Sequence, residues 1–169
     1  MFNKQSIEKI LKHNKNKRRK ELSNDLDNVV FLDFDGVINL DLNNFSGPFK
    51  NNNLIKNLNN FCLENNFKIV VTSSWRKYSD YRTLLYNSGL DNKIEIIGKT
   101  EVLDKDRESE VIKYIKEHCY IYKFIIIDDR PFNMLKKYQI LTDTESGFNT
   151  EKYKEALELI KLNLWQWIN

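Results

Sequence analysis

The chain is poor in the residues that build stapled folds: among 169 residues stand two cysteines, two histidines, two prolines and five glycines. Cys62 and Cys119 lie far apart without a CxxC, and His13 and His118 are isolated, so neither a disulfide framework nor a zinc site is expected. Such cysteine usage fits a reducing cytoplasm. Long apolar runs are also missing. The longest, Phe124 to Ile127, is strand-sized and far below the roughly 18 to 20 residues of a membrane span. The opening Met1-Phe2-Asn3-Lys4 lacks an apolar h-region, so no secretory signal is expected. No Pro/Gly-rich linker and no internal repeat divides the chain.

What is present is 41% hydrophobic, 30% charged and 12% aromatic, the balance of one folded domain with one sizeable core. Disordered and fibrous architectures are excluded. Asparagine is abundant at 22 residues, which A/T-rich codon usage explains without a functional role. Charge is uneven. Residues 1–20 hold eight Lys/Arg against Glu8, a net +7, so with +3 for the whole chain the remainder carries −4. A basic arm or helix over residues 1–27 is expected, followed by one domain over 28–169. The arm has the charge to grip a phosphate backbone, though a solvated helix or a frayed end would carry the same charge. Ser6 is a candidate cap for a helix whose Ile7, Ile10 and Leu11 share a face.

Beyond residue 28 short apolar runs alternate with helical periodicity. Val29-Val30-Phe31-Leu32, Ile69-Val70-Val71, Ile94 to Ile97 and Phe124 to Ile127 have the β-former content of strands buried on both faces, and Gln139-Ile140-Leu141 is a weaker fifth. Helical spacing links Leu54, Leu58, Phe61 and Cys62 in a helix over about 51–66, then Tyr81, Leu84 and Leu85, then Val111, Ile112, Ile115 and Cys119. Pro131 suits the first turn of a short helix running towards Tyr138. A last helix over about 150–168 would stripe Tyr153, Ala156, Leu157, Ile160, Leu164 and Trp167 towards the core. The pattern predicts βαβ units: an α/β fold with a mainly parallel five-stranded sheet between helices. In such folds ligands sit outside the carboxyl ends of the strands.

Chemistry stands at those ends. Strand one runs into Asp33-Phe34-Asp35-Gly36-Val37. Two acids directly after buried residues are costly without counter-charge, and a hard divalent cation such as Mg²⁺ would supply it. A turn or cap role for one acid is the plainer alternative. Strand two runs into Thr72-Ser73-Ser74-Trp75-Arg76, where hydroxyls and a cation would seat a phosphate, or a hydroxyl would simply cap the next helix. Strand four ends in a second acid pair, Asp128-Asp129, and Lys99, Lys105 and Arg107 precede it as candidate counter-charges. Capping alone does not explain acids at the ends of strands one and four with hydroxyls at the end of strand two.

With these residues in order, the sequence resembles the haloacid dehalogenase (HAD) superfamily over about residues 28 to 143. Asp33-Phe34-Asp35-Gly36-Val37 is similar to its DxDG[VT] first motif, Thr72 or Ser73 to the second, Arg107 with Lys105 as the alternative to the basic third, and Asp128-Asp129 to the acidic fourth. The third-motif residue is usually Lys; Arg107 is a cation that does not give up its proton. The longer strings Val71 to Arg76, Arg107-Glu108-Ser109-Glu110-Val111 and Ile126-Ile127-Asp128-Asp129 resemble the small HAD domains of RNA-repair proteins, related to polynucleotide 3′-phosphatases.

The resemblance implies a three-layer Rossmannoid fold and a phosphomonoesterase using Mg²⁺. Asp33 would be the nucleophile, forming an aspartyl-phosphate. Asp35 would be the general acid and base, with Thr72 and Arg107 completing the catalytic set. Asp33, Asp35 (through its carbonyl), Asp128 and Asp129 would hold the metal, and Ser73, Ser74, Arg76 and Lys105 would bind substrate. The interval between Gly36 and strand two is too short for a cap domain, as is the one after it, so an open site is expected. An open site suits a nucleic-acid terminus or nucleotide, gripped by the basic arm, with Trp75 or Tyr78 stacking a base if they are not packing residues. The rival readings are a phosphatase of small metabolite, sugar or ADP-ribose phosphates, and a non-catalytic HAD-fold binding module using the arm or Trp165.

Overall fold

Five apolar runs pair into one sheet, and their order sets where ligands can bind. A computed structural model of the chain describes residues 4–21, 26–41, 43, 48–78, 80–103 and 106–162. Strands β1 (Asp27–Leu32), β2 (Phe67–Val71), β3 (Ile96–Lys99), β4 (Ile121–Asp128) and β5 (Gln139–Leu141) lie in the order β3-β2-β1-β4-β5. Every pairing is parallel, so the expected mainly parallel sheet is wholly so. Helices are α1 (Lys4–Glu21), α2 (Asn52–Asn65), α3 (Tyr81–Asn87), α4 (Arg107–Glu117) and α5 (Thr150–Lys161). Short 3-10 turns follow at Ser74–Lys77 and Lys136–Tyr138.

The core is the sheet's centre. Val29 to Leu32 and Phe124 to Ile127 are fully buried, as β-branched and aromatic residues are when helices cover both faces. Helices α2 and α5 adjoin, tied by Asn57 Nδ2 donating to the Phe148 carbonyl at 3.0 Å. Helices α1 and α4 adjoin, with Ile7 and Leu11 buried and Asn14 Nδ2 donating to the Ile115 carbonyl at 2.6 Å. By the right-handed rule for parallel crossovers, the helix after β1 and the helix before β4 fall on opposite faces. The chain winds outward from β1 through β2 to β3, then returns to the other side of β1 for β4. The switch point therefore lies at the carboxyl ends of β1 and β4.

Several local expectations are corrected. Strand β3 starts at Ile96 rather than Ile94, because Ile94 closes a turn by donating to the Asp91 carbonyl at 3.0 Å. Pro131 starts no helix. The amides of Phe132, Asn133 and Leu135 donate instead to the side chains of Gln139, Glu108 and Glu108, which leaves irregular backbone until Lys136. Ser6 lies inside α1, which begins at Lys4. Helix α4 stops at Glu117, so Cys119 falls in the turn to β4. In α5 the stripe of Tyr153, Ala156, Leu157 and Ile160 packs on the core, whereas Leu164, Trp165 and Trp167 lie outside the described residues. Among the described residues, the stretch from Gly36 to β2 holds one helix and no strand, and no helix is long and apolar enough to cross a membrane.

Candidate active site

The strand register carries on past the strands and lines up their first following residues. Asp33 donates its amide to the Ile127 carbonyl, Thr72 to Leu32, Thr100 to Val71 and Thr142 to Asp128, at 2.9 to 3.1 Å. A polar side chain thus stands at the end of each strand, all of them buried. The hydroxyls of Thr72, Thr100 and Thr142 have no hydrogen-bond partner, unusual for buried polar atoms.

At the centre of this row Asp33, Asp128 and Asp129 offer carboxylate oxygens that all lie within 4.8 Å of one another. Arg107, the first residue of α4, reaches over them. Its Nη1 donates to Asp33 Oδ2 and, at 2.8 Å, to Asp128 Oδ2. Burial works against the arginine's charge, but Asp33 and Asp128 outweigh it and hold the guanidinium above its ordinary value. Burial, and after it the neighbouring Asp33, push the Asp128 carboxyl up to about 7, with Arg107 pulling the other way. Asp129 is raised by the same two causes.

The loop after β1 closes against this cluster. Gly36 has φ +70, and a Cβ there would come within 2.8 Å of Asp129 Cβ and Oδ2. Only glycine allows that conformation and that approach together. The Phe34 carbonyl accepts from the amides of Val37, Ile38 and Asn39, tightening the turn. Asp35, two residues from Asp33, turns elsewhere. Its Oδ1 accepts from Asn39 Nδ2 at 2.7 Å and its Oδ2 from Trp75 Nε1 at 3.0 Å.

The second string behaves differently from its first residue onward. Ser73 caps the 3-10 turn, its Oγ accepting from the Trp75 amide, and Ser74 is exposed. Arg76 is buried with its donors engaged: Nη1 on the carbonyls of Thr72 and Ser73, Nε on that of Thr100, and Nη2 on the Glu101 carbonyl and, at 2.5 Å, Glu110 Oε2. Its guanidinium braces the turn rather than facing an open phosphate seat. Lys105 lies outside the described residues. Lys99 donates to the Arg76 carbonyl at 2.9 Å.

Sequence reasoning assigned no role to Glu108 and Glu110. Both acids are buried in the first turn of α4: Glu108 accepts from the amides of Asn133 and Leu135, and Glu110 from Arg76 and the Leu103 amide. They lock both flanking loops to the helix that presents Arg107. The signal in the chain was the run of acids immediately after that arginine. Asn39 was also missed, since one asparagine among 22 carries no mark of its own.

A parallel Rossmann-like sheet with this acid cluster at its switch point defines a HAD-superfamily domain. The family described as the HAD domain in Swiss Army Knife RNA repair proteins matches residues 29–153, and the chain belongs to it. No curated protein and no solved structure gives a match. Membership in this family suggests a phosphatase-type hydrolase.

The residues fit the divalent ion that HAD enzymes generally use. Three carboxylates against one guanidinium leave a formal −2, and the donors are hard oxygens.

Proposed function

We propose that the chain is a Mg²⁺-dependent phosphomonoester hydrolase acting through an aspartyl-phosphate on Asp33, with nucleic-acid ends or nucleotides as substrates. The observation that carries this is the unbalanced cluster: Asp33, Asp128 and Asp129 stand together at the strand ends with one partly buried arginine, paired to the first two, against them. Asp33, Asp128, Asp129 and the Asp35 carbonyl would hold Mg²⁺. When bound, the ion would offset charge on the carboxylates and on the phosphate oxygens.

Asp33 attacks phosphorus, held in place by Arg107, which also faces the equatorial oxygens. Thr72, with its buried hydroxyl unpaired, donates to the same oxygens. Asp35, outside the cluster, protonates the leaving oxygen and then takes a proton from the water that hydrolyses the acyl-phosphate.

Membership of an RNA-repair family, and the lack of a cap domain among the described residues, favour large substrates, and exposed Lys9 and Lys12 on α1 offer backbone contacts. In this reading residues 28–169 are the catalytic domain, residues 1–27 a basic addition to it, and the cytoplasm the compartment. The test is Mg²⁺-dependent phosphate release from 3′- and 5′-phosphorylated DNA and RNA oligonucleotides, mononucleotides, ADP-ribose phosphate and p-nitrophenyl phosphate, with Asp33→Asn as control. Preference for oligonucleotide ends and an inactive Asp33→Asn support the proposal. Preference for a small ester shifts the substrate to metabolites, and retained activity in Asp33→Asn removes the nucleophile. No release by folded protein that binds Mg²⁺ overturns the hydrolase reading.

A further inference from the structure

The two acids of the first motif are held by opposite kinds of partner. Asp33 faces a cation and two other acids, whereas Asp35 is held by two neutral side-chain donors, the Trp75 indole and the Asn39 amide. Trp75 is 8% exposed, too buried to serve as a base-stacking platform. Its ring is fixed from the opposite side of the loop: Phe49 packs edge-on against both Trp75 and Phe34, with centroids 5.5 and 5.6 Å away. Phe49 is anchored in turn, its amide donating to Ser88 Oγ at 2.8 Å at the end of α3. An indole N–H only donates, so it orients a carboxyl without competing for that carboxyl's proton.

We propose that Trp75 is a positioning residue for Asp35, holding the carboxyl on the leaving-group side of the phosphate and apart from the metal-binding acids. This rests on the hydrolase reading above. In the first step the Asp33 oxygen bonds to phosphorus as the bond to the leaving oxygen breaks, and the Asp35 proton goes to that oxygen. In the second step water attacks phosphorus, its proton returns to Asp35, and Asp33 is released with inorganic phosphate. Losing the indole leaves the nucleophile intact and misplaces the carboxyl that gives a proton in the first step and takes one in the second.

The discriminating variable is therefore the leaving group. An alcohol, such as a nucleic-acid ribose hydroxyl, needs protonation to depart, whereas p-nitrophenolate does not. Trp75→Phe should lower kcat/KM on the phosphorylated oligonucleotide by about ten- to a hundredfold, the worth of one hydrogen bond to a group that gains charge in the transition state. On p-nitrophenyl phosphate kcat/KM, which reads only the steps up to departure of the leaving group, should fall by no more than about twofold, while kcat drops with the slower hydrolysis of the aspartyl-phosphate. Asp35→Asn should show the same pattern, more steeply, and adding Trp75→Phe to it should cost nothing further. Phe49→Leu, which keeps the indole but loosens it, should give the same selective loss at about two- to tenfold.

Equal losses of kcat/KM on both esters, or none on the oligonucleotide, would overturn the positioning role and leave the hydrolase standing. A second readout needs no turnover: among the indole ¹H–¹⁵N signals, the one lost in Trp75→Phe should shift in Asp35→Asn. An unmoved signal would overturn the bond itself. Absence of turnover by the parent protein on every ester would remove the hydrolase reading and this role with it, whatever the indole signal does.

Discussion

Arg76, buried, and Arg107, partly buried, are two arginines at one edge of the sheet, and both meet residues at strand ends. Arg76 meets a single carboxylate, Glu110, and spends its other donors on backbone carbonyls. Arg107 meets Asp33 and Asp128, with Asp129 beside them. The first set is electrically closed; the second is short of positive charge. A buried arginine with one acid is a brace, because nothing further is needed to satisfy it. One set against three acids leaves negative charge that a cation would answer.

Activity should separate the two most widely. Arg107→Ala should lower kcat on any accepted ester by about 10²- to 10³-fold, the usual cost of losing a preorganised donor to the transferring group. Arg76→Lys, assayed where it is folded, should keep kcat close to the parent. If Arg76→Lys is as inactive as Arg107→Ala, the contrast fails and Arg76 belongs to the phosphate seat.

Stability should run the other way. Arg76→Ala leaves Glu110 buried without its partner and frees carbonyls behind the 3-10 turn, which should cost about 3 to 5 kcal/mol in denaturant unfolding. Saturating Mg²⁺ should recover much of the stability lost in Arg107→Ala, because the acids left behind are those the ion would neutralise. It should recover none for Arg76→Ala.

Divalent binding itself gives a smaller shift. At a hundredfold excess over Kd, Mg²⁺ should stabilise the parent protein by about 2.7 kcal/mol, read as a rise in Tm. Asp129→Asn should weaken that rise and Glu110→Gln should leave it in place. An equal rise in the Asp129→Asn protein would take that residue out of the ion's site.

The smallest expected effect concerns α1. Lys9→Gln with Lys12→Gln should reduce the steepness of the salt dependence on oligonucleotide substrates, by roughly 0.7 to 0.9 in log–log slope for each phosphate no longer neutralised. No change in slope would leave α1 as a packing helix with a charged outer face.

Much of this was legible in the chain. Buried strands announce themselves as short β-branched runs, and an acid immediately after such a run is too costly to be incidental, so Asp33, Asp128 and the sheet could be read directly. Asp129 followed from the same strand end, and Arg107 from the resemblance to the third motif, with Lys105 as the alternative. Arg76 was harder, because a hydroxyl string ending in arginine looks the same whether the guanidinium faces a phosphate or turns back on carbonyls. The start of β3 and the stretch after Pro131 were misplaced because side-chain acceptors and a closing turn, not local propensity, decide where those amides go.

The sequence by itself determined the strands, their parallel arrangement and the kinds of residue at their carboxyl ends, since burial and periodicity act over a few neighbouring positions. Only the tertiary structure decided which charge answers which. It sends Arg107 to the acids, closes Arg76 with Glu110, and turns Asp35 from its neighbour Asp33 towards an indole 40 residues further along the chain. Electrostatic and hydrogen-bond partners are chosen by distance in space, and in a parallel sheet those distances are set by crossovers that no local pattern records.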